Sequence, residues 1–161
     1  MGGKMFNSVL FVCLGNICRS PTAEAIFRDR ANYRGLAVAA DSAGTAAWHV
    51  GKKPYDPMQR TAAEFGYDLS MLRARQVAQM DFENCDLIIA MDQHNLLALK
   101  ALAPYEHPAQ LILMGTYLSK SNPPDIPDPY YTRDFAATLG LLQEAIDNLL
   151  SAHWPMVGAG R

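Results

Sequence analysis

The chain alternates apolar, strand-like runs with stretches of helical spacing, and few folds accommodate that alternation. SVLFVC (8–13), CDLIIAM (85–91) and QLILMG (110–115) are apolar almost throughout, and LAVAADSAG (36–44) is an apolar run ending in a polar turn. A strand with no polar face must be covered on both sides. Between these runs, helices are expected from near Ser20 to about Asn32, over 58–66 with Gly66 closing it, over 92–103 capped by Asp92, and over 135–154. Residues 51–57 and 120–134 read as loops, the second holding four prolines. Strands alternating with helices through right-handed crossovers predict an α/β fold, a doubly wound four-stranded parallel sheet with helices on both faces. At 161 residues the chain suits one domain, with 1–4 (MGGK) expected to be an appended remnant and 155–161 a flexible tail.

Ligands of such sheets bind beyond the carboxyl ends of strands, beside helix N-termini. The stretch VCLGNICRSPTAEA (12–25) fits that position after the first strand. Gly15 and Asn16 are the residue types that most readily take positive φ. Ser20 is expected as the helix N-cap, Pro21 at the first helical position, and Glu24 in the first turn, where it suits the dipole. A loop so placed aims several backbone N–H groups at one spot, a nest for an anion, and Arg19 adds a planar fork that matches two phosphate oxygens. Residues Leu14, Gly15, Asn16, Ile17, Cys18, Arg19 and Ser20 are therefore expected to form a phosphate-binding loop. The same positive environment favours a thiolate, which makes Cys13 a candidate nucleophile.

Other uses of the thiols fit less well. A metal site needs close pairs such as C-x-x-C with further ligands, and beyond Cys13 and Cys18 there are only Cys85 and four scattered histidines, so no metal and no cofactor is expected. Three cysteines make no secreted disulfide framework, and no apolar stretch approaches the ~20 residues that span a bilayer, so a cytoplasmic chain with reduced thiols is expected. Cys85, opening an apolar run, reads as packing. With 14 Lys plus Arg against 16 Asp plus Glu, nothing draws the chain to nucleic acid or to anionic membrane. Any anion it binds must be gripped locally.

Cys13 and Arg19 make the spacing C-x5-R, which alone is weak. The fuller string VCLGNICRSPTAEAIFR (12–28) resembles the low-molecular-weight protein tyrosine phosphatase family, with further agreement at DSAGT (41–45), ARQ (74–76), AMD (90–92) and DPYY (128–131). The resemblance spans residue 6 to about 150. It implies hydrolysis of protein phosphotyrosine and small aryl phosphates through a phosphocysteine, with Cys13 attacking phosphorus, Arg19 holding the equatorial oxygens and Asp128 serving as general acid and then base. From the residues alone, an aspartate between Pro127 and Pro129 is more often a turn former. The resemblance further implies a supporting network of Ser20, Asn16 and Ser42, and a slot lined by Leu14, Trp48, Tyr130 and Tyr131. Plain caps and turns explain Ser20 and Asn16 equally well.

Many family members carry a histidine where this chain has Leu72, which leaves open what completes the Asn16 network; His49 or a water are the two substitutes to hand. Cys18 resembles a second loop cysteine able to pair reversibly with the nucleophile, while packing is an equal alternative. Tyr130 and Tyr131 are open as phosphorylation sites. Rival readings are an arsenate reductase of the same fold, which needs further relay cysteines, a phosphocysteine carrier, which has no need of Asp128, and a non-catalytic phosphotyrosine-binding module, which would be expected to lose the nucleophile or the acid. The expected partner is a phosphotyrosine protein or small aryl phosphate; a monomer is favoured, with the oligomeric state and the physiological substrate left open.

Overall fold

A computed structural model describes residues 5–119 and 124–155. Four parallel strands, β1 (Ser8–Cys13), β2 (Ala39–Gly44), β3 (Leu87–Ala90) and β4 (Gln110–Leu113), form one sheet in the order β2-β1-β3-β4. The chain leaves β1 toward β2 on one side and later returns to place β3 on the other. The end of β1 is thus the point where strand order reverses, the place in an open α/β sheet where a crevice opens.

Alternate residues of the central strands feed two cores, as the pleat requires. Val9, Phe11 and Cys13 of β1 with Leu87 and Ile89 of β3 pack against α1 (Arg19–Tyr33), α2 (Asp56–Glu64) and α6 (Phe135–His153). Leu10, Val12, Ile88 and Ala90 face the opposite layer, where α3 (Gln79–Asn84) supplies Phe82 and α4 (Gln93–Leu102) supplies Leu96 and Leu99. Both faces are covered, as expected of strands without a polar side. Trp154, beyond α6, donates its indole N–H to the carbonyl of Phe6 at 3.0 Å and closes the first core at its base.

Several local expectations are corrected. Helix α1 begins at Arg19, so its N-cap is Cys18, Pro21 is the third helical residue rather than the first, and no acidic side chain occupies the first turn. The structure uses Ser20 and Glu24 elsewhere, as described below. Cys85 does not open a strand; it ends α3, a six-residue helix that carries no strong sequence signal, and burial pushes its thiol up to about 11. Strand β2 starts at Ala39, three residues later than expected, and α2 starts at Asp56, two residues earlier, with Gly66 beyond its end at φ 92°. The proline-rich stretch is loop over 124–128 but contains a one-turn helix, α5 (Pro129–Thr132). The expectations for 1–4, 120–123 and 156–161 lie outside the described residues. Among the described residues, no helix is long and apolar enough to cross a membrane.

Candidate active site

The loop after β1 is held by its carbonyls. Those of Cys13, Leu14 and Ile17 accept from the amides of Thr45, Ala46 and Tyr55 at 2.9, 3.0 and 2.8 Å, and that of Cys18 accepts from the Thr22 hydroxyl at 2.7 Å. With these carbonyls tied to the scaffold, the loop lies against the N-terminus of α1, the arrangement that a nest of amides for an anion requires. The approach is tight: a Cβ on Gly44 would lie 2.7 Å from the Leu14 carbonyl oxygen, so only glycine lets β2 pass there.

Asn16 turns the loop with φ 56°, and its side chain is fully engaged. Its Nδ2 donates to Ser20 Oγ at 2.7 Å and to Ser42 Oγ at 3.0 Å, while its Oδ1 accepts from the amide of Arg75 at 2.9 Å. The resemblance-based network of Ser20, Asn16 and Ser42 is therefore assembled in the structure. Leu72 leaves no gap in it: Arg75 supplies the donor to Asn16, Glu24 accepts from Ser42 at 2.7 Å, and His49 instead lies in the pocket wall against Gly15. Arg75 is fixed by ion pairs to Asp41 and Asp81, both at 2.9 Å, and the bond to Asp81, with these charges, holds its guanidinium above its ordinary range despite burial. The ARQ stretch runs beside the end of β2, with Gly44 N on the Arg75 carbonyl at 2.8 Å.

Cys13 is buried at the strand end with its Sγ 3.0 Å from Ser20 Oγ. That hydroxyl also lies 3.4 Å from the Ala43 carbonyl. Ser20 thus caps nothing; its hydroxyl is at the sulfur. Cys18, also buried, is pushed well above the ordinary thiol range by burial first and by Cys13 and Asp128 next, against the pull of Arg19 and Arg133.

Arg19 is almost wholly buried, and burial alone would lower it. The charges of Cys13, Asp128 and Asp92 more than offset this, so the guanidinium is held above its ordinary range. Its Nη1 donates to Asp92 Oδ2 at 2.7 Å and to the Ile126 carbonyl at 2.9 Å, and Nη2 reaches Asp128 Oδ2 at 3.4 Å. Nε is buried with no partner among the described residues. One edge of the fork is anchored, and the Nε/Nη2 edge is the one left to take two oxygens of a tetrahedral anion.

Asp128 comes from the far end of the chain. Ile126 N donates to the Met91 carbonyl at 2.9 Å, which docks the loop onto the end of β3, and Asp128 then caps α5 by accepting from Tyr130 N at 3.1 Å. Asp128 is thus a turn former whose carboxyl also reaches Arg19. The rings of Tyr130 and Tyr55 lie 5.2 Å apart and those of Tyr130 and Tyr131 5.4 Å apart. Arg133, at φ 63°, ties this wall together by donating to the Tyr55 hydroxyl at 3.0 Å.

A pocket of about 200 Å³ opens here, lined by Cys13, Leu14, Gly15, Ile17, Cys18, Trp48, His49, Asp128, Tyr130 and Tyr131. The structure brings together Cys13, Arg19 and Asp128 and all four expected slot residues; Trp48 stands over the rim with 68% of its surface exposed. Sequence reasoning read Asp92 only as a cap and Glu24 only as a helix-end charge, and it did not assign Arg75 or Arg133. The first does cap α4, accepting from Asn95 N at 2.8 Å with the oxygen that Arg19 does not use. The AMD and ARQ stretches were the available signals.

Comparison with known proteins agrees with this geometry. The family model for low molecular weight phosphotyrosine protein phosphatase matches residues 8–154. The low molecular weight protein-tyrosine-phosphatase YfkJ of Bacillus subtilis is 42% identical over 147 residues, covering 90% of this chain and 94% of its own, and its crystal structure superposes with a TM-score of 0.86. A low molecular weight phosphotyrosine protein phosphatase of Schizosaccharomyces pombe is 43% identical over 76% of this chain and 80% of its own. The crystal structure of a drosophila arginine phosphatase is also similar, with a TM-score of 0.86, 33% identity and coverage of 91% of this chain and 97% of that one. By this match over nearly its whole length, the chain belongs to the low molecular weight phosphotyrosine protein phosphatase family.

Proposed function

We propose that this protein is a cytoplasmic, single-domain phosphatase that hydrolyses protein phosphotyrosine and small aryl phosphates through a phosphocysteine, with no metal or cofactor. The observation that carries the reading is that Cys13 and Asp128 line one pocket while Arg19 bonds to Asp128 and keeps its Nε without a partner among the described residues. In the first step the Cys13 thiolate attacks phosphorus. The S–P bond forms as the P–O bond to the phenol breaks, and Asp128 gives its proton to the departing oxygen. In the second step water attacks the same phosphorus, Asp128 takes the water proton, and the S–P bond breaks to return the thiolate. Arg19 and the loop amides hold the equatorial oxygens in both steps, where fixed donors act on charge as it develops. The Ser20 hydroxyl, at 3.0 Å, supports the sulfur as attacker and as leaving group.

The aromatic slot of Trp48, Tyr130 and Tyr131 above the loop supports an aryl substrate over an alkyl phosphate. A phosphocysteine carrier has no use for an acid placed like Asp128, and an arsenate reductase of this fold needs further relay cysteines, where this chain has only Cys85 beyond the loop. The similar arginine phosphatase makes a phosphoguanidine the competing substrate class, and phosphoarginine belongs in the same assay. The enzyme is read as a monomer.

The test is hydrolysis of p-nitrophenyl phosphate in the presence of chelator. Cys13→Ser should abolish turnover and Arg19→Ala should nearly do so. Asp128→Asn should slow phenyl phosphate more than p-nitrophenyl phosphate, because the poorer leaving group depends more on protonation. Substantial turnover by Cys13→Ser ends the proposal, as does phosphate trapped by the unmutated protein and never released.

A further inference from the structure

A continuous chain of side-chain hydrogen bonds leads from the nucleophile to the far side of α1. It runs from Cys13 Sγ to Ser20 Oγ at 3.0 Å, to Asn16 Nδ2 at 2.7 Å, to Ser42 Oγ at 3.0 Å and to Glu24 Oε1 at 2.7 Å. Glu24 is only 2% exposed, yet it also lines a second cavity of about 190 Å³ beside Arg28, Tyr67, Asp68 and Leu72. Its other oxygen pairs with Arg28 at 2.8 Å.

Arg75 N–H on Oδ1 fixes the Asn16 amide as the donor to both serines, and Glu24 at the end of the chain fixes where the Ser42 hydrogen goes. An amide nitrogen carries two hydrogens and accepts nothing, a hydroxyl carries one hydrogen, and a carboxylate only accepts. Ser42 gives its single hydrogen to Glu24 and so must present a lone pair to Asn16. Asn16 then spends its second hydrogen on Ser20, whose own hydrogen is left for Cys13 Sγ or, farther away, the Ala43 carbonyl. Without an acceptor at position 24, the Ser42 hydrogen is free to turn toward the Asn16 amide and compete with it. A buried carboxylate is an expensive way to stabilise a fold, since burial works against its charge and apolar replacements often serve stability as well. Burial indeed raises Glu24, with Ser42 and Arg28 pulling it back and Asp41 adding to the rise.

We propose that Glu24 is a positioning residue for the phosphatase reaction, orienting Ser42, Asn16 and Ser20 so that the Ser20 hydrogen is held on the Cys13 sulfur. This rests on the reading of Cys13 as the nucleophile. Glu24 touches no reacting atom.

The experiment compares the wild type with Glu24→Ala and Glu24→Gln in p-nitrophenyl phosphate kinetics and in the pH profile of Cys13 alkylation by iodoacetate. Glu24→Ala should lower kcat roughly tenfold, the worth of one charge-assisted hydrogen bond, with KM nearly unchanged. Its alkylation profile should move to higher pH. Glu24→Gln keeps an oxygen facing Ser42 and should recover most of both losses. Wild-type kcat and alkylation in Glu24→Ala overturn the proposal, and so does a Glu24→Gln variant as impaired as the alanine while its thermal midpoint is preserved. If Glu24→Ala does not fold, Ser42→Ala cuts the chain and leaves the Glu24 to Arg28 pair; unchanged kcat and alkylation there overturn it equally. A wild type without phosphatase activity counts against the phosphatase reading instead, and the alkylation profiles still decide the role of Glu24.

Discussion

Arg19 Nη1 and Asp92 Oδ2 lie 2.7 Å apart, an ion pair that anchors one edge of an almost wholly buried guanidinium. Asp92 holds Nη1 together with the Ile126 carbonyl, while Nη2 keeps only the longer contact to Asp128 and Nε has no partner among the described residues. Removing the carboxylate leaves a buried cation with one neutral acceptor on that side. Asp92→Ala should therefore cut kcat/KM for p-nitrophenyl phosphate on the order of a hundredfold, the scale of a lost charged hydrogen bond. Inhibition by inorganic phosphate should weaken in parallel. Wild-type phosphate inhibition in this variant would show that Arg19 needs no anchor.

Gly115 packs against the backbone that leads to Asp128. A Cβ there would lie 1.6 Å from the Pro124 carbonyl oxygen, so the backbone leading to Asp128 must move to admit a methyl group. Gly115→Ala should destabilise by about 1–3 kcal/mol, the usual scale of overpacking, as read by urea unfolding. It should also lower turnover of phenyl phosphate, which depends on Asp128, more than that of p-nitrophenyl phosphate. Equal losses on the two substrates would mean that the displaced backbone does not reach Asp128.

Cys18 lines the same pocket as Cys13, and burial is the main cause that pushes its thiol above the ordinary range. Peroxide should oxidise Cys13 to the sulfenic acid, and Cys18 should condense with it to a disulfide, releasing water and sparing Cys13 from further oxidation. Activity after peroxide treatment should return with dithiothreitol in the wild type and only in part in Cys18→Ser. Equal recovery in both would leave Cys18 as a packing residue.

His153 links stability to pH at the end of α6. Its Nε2 lies 2.7 Å from the Tyr117 hydroxyl, whose pKa burial raises to about 12, and burial lowers His153 below its ordinary 6.5. A histidine lowered on folding contributes stability that is complete above its unfolded value and is lost as pH falls through the folded one. Relative to His153→Gln, the wild type should show a constant stability difference above about pH 7 and a declining one below 6.5. A difference that stays flat to pH 5 in urea titrations would remove His153 from the acid response.

The sequence by itself determined the layered architecture and the loop. Strands such as LIIA, apolar on both faces, can only lie inside a covered sheet, and a cysteine, a glycine, an asparagine and an arginine at a strand end need only short-range geometry to make a nest. The element types followed wherever one period ran long enough, as in α6, and failed where it did not, as in α3 and α5. The tertiary structure decided what no local signal carries. Ser20 reads as a cap because caps are what serines before a helix usually provide; the helix starts two residues earlier than that reading requires, and the hydroxyl lies at the sulfur instead. Asp92, Asp128 and Arg75 reach the loop across sequence separations of 73, 109 and 59 residues. Glu24 became the end of a buried chain because β2 brought Ser42 against α1. Hydrogen bonds are short and directional, so which polar groups meet is fixed only when strands and helices have packed, whereas burial of apolar surface is non-directional and can be read from pattern alone.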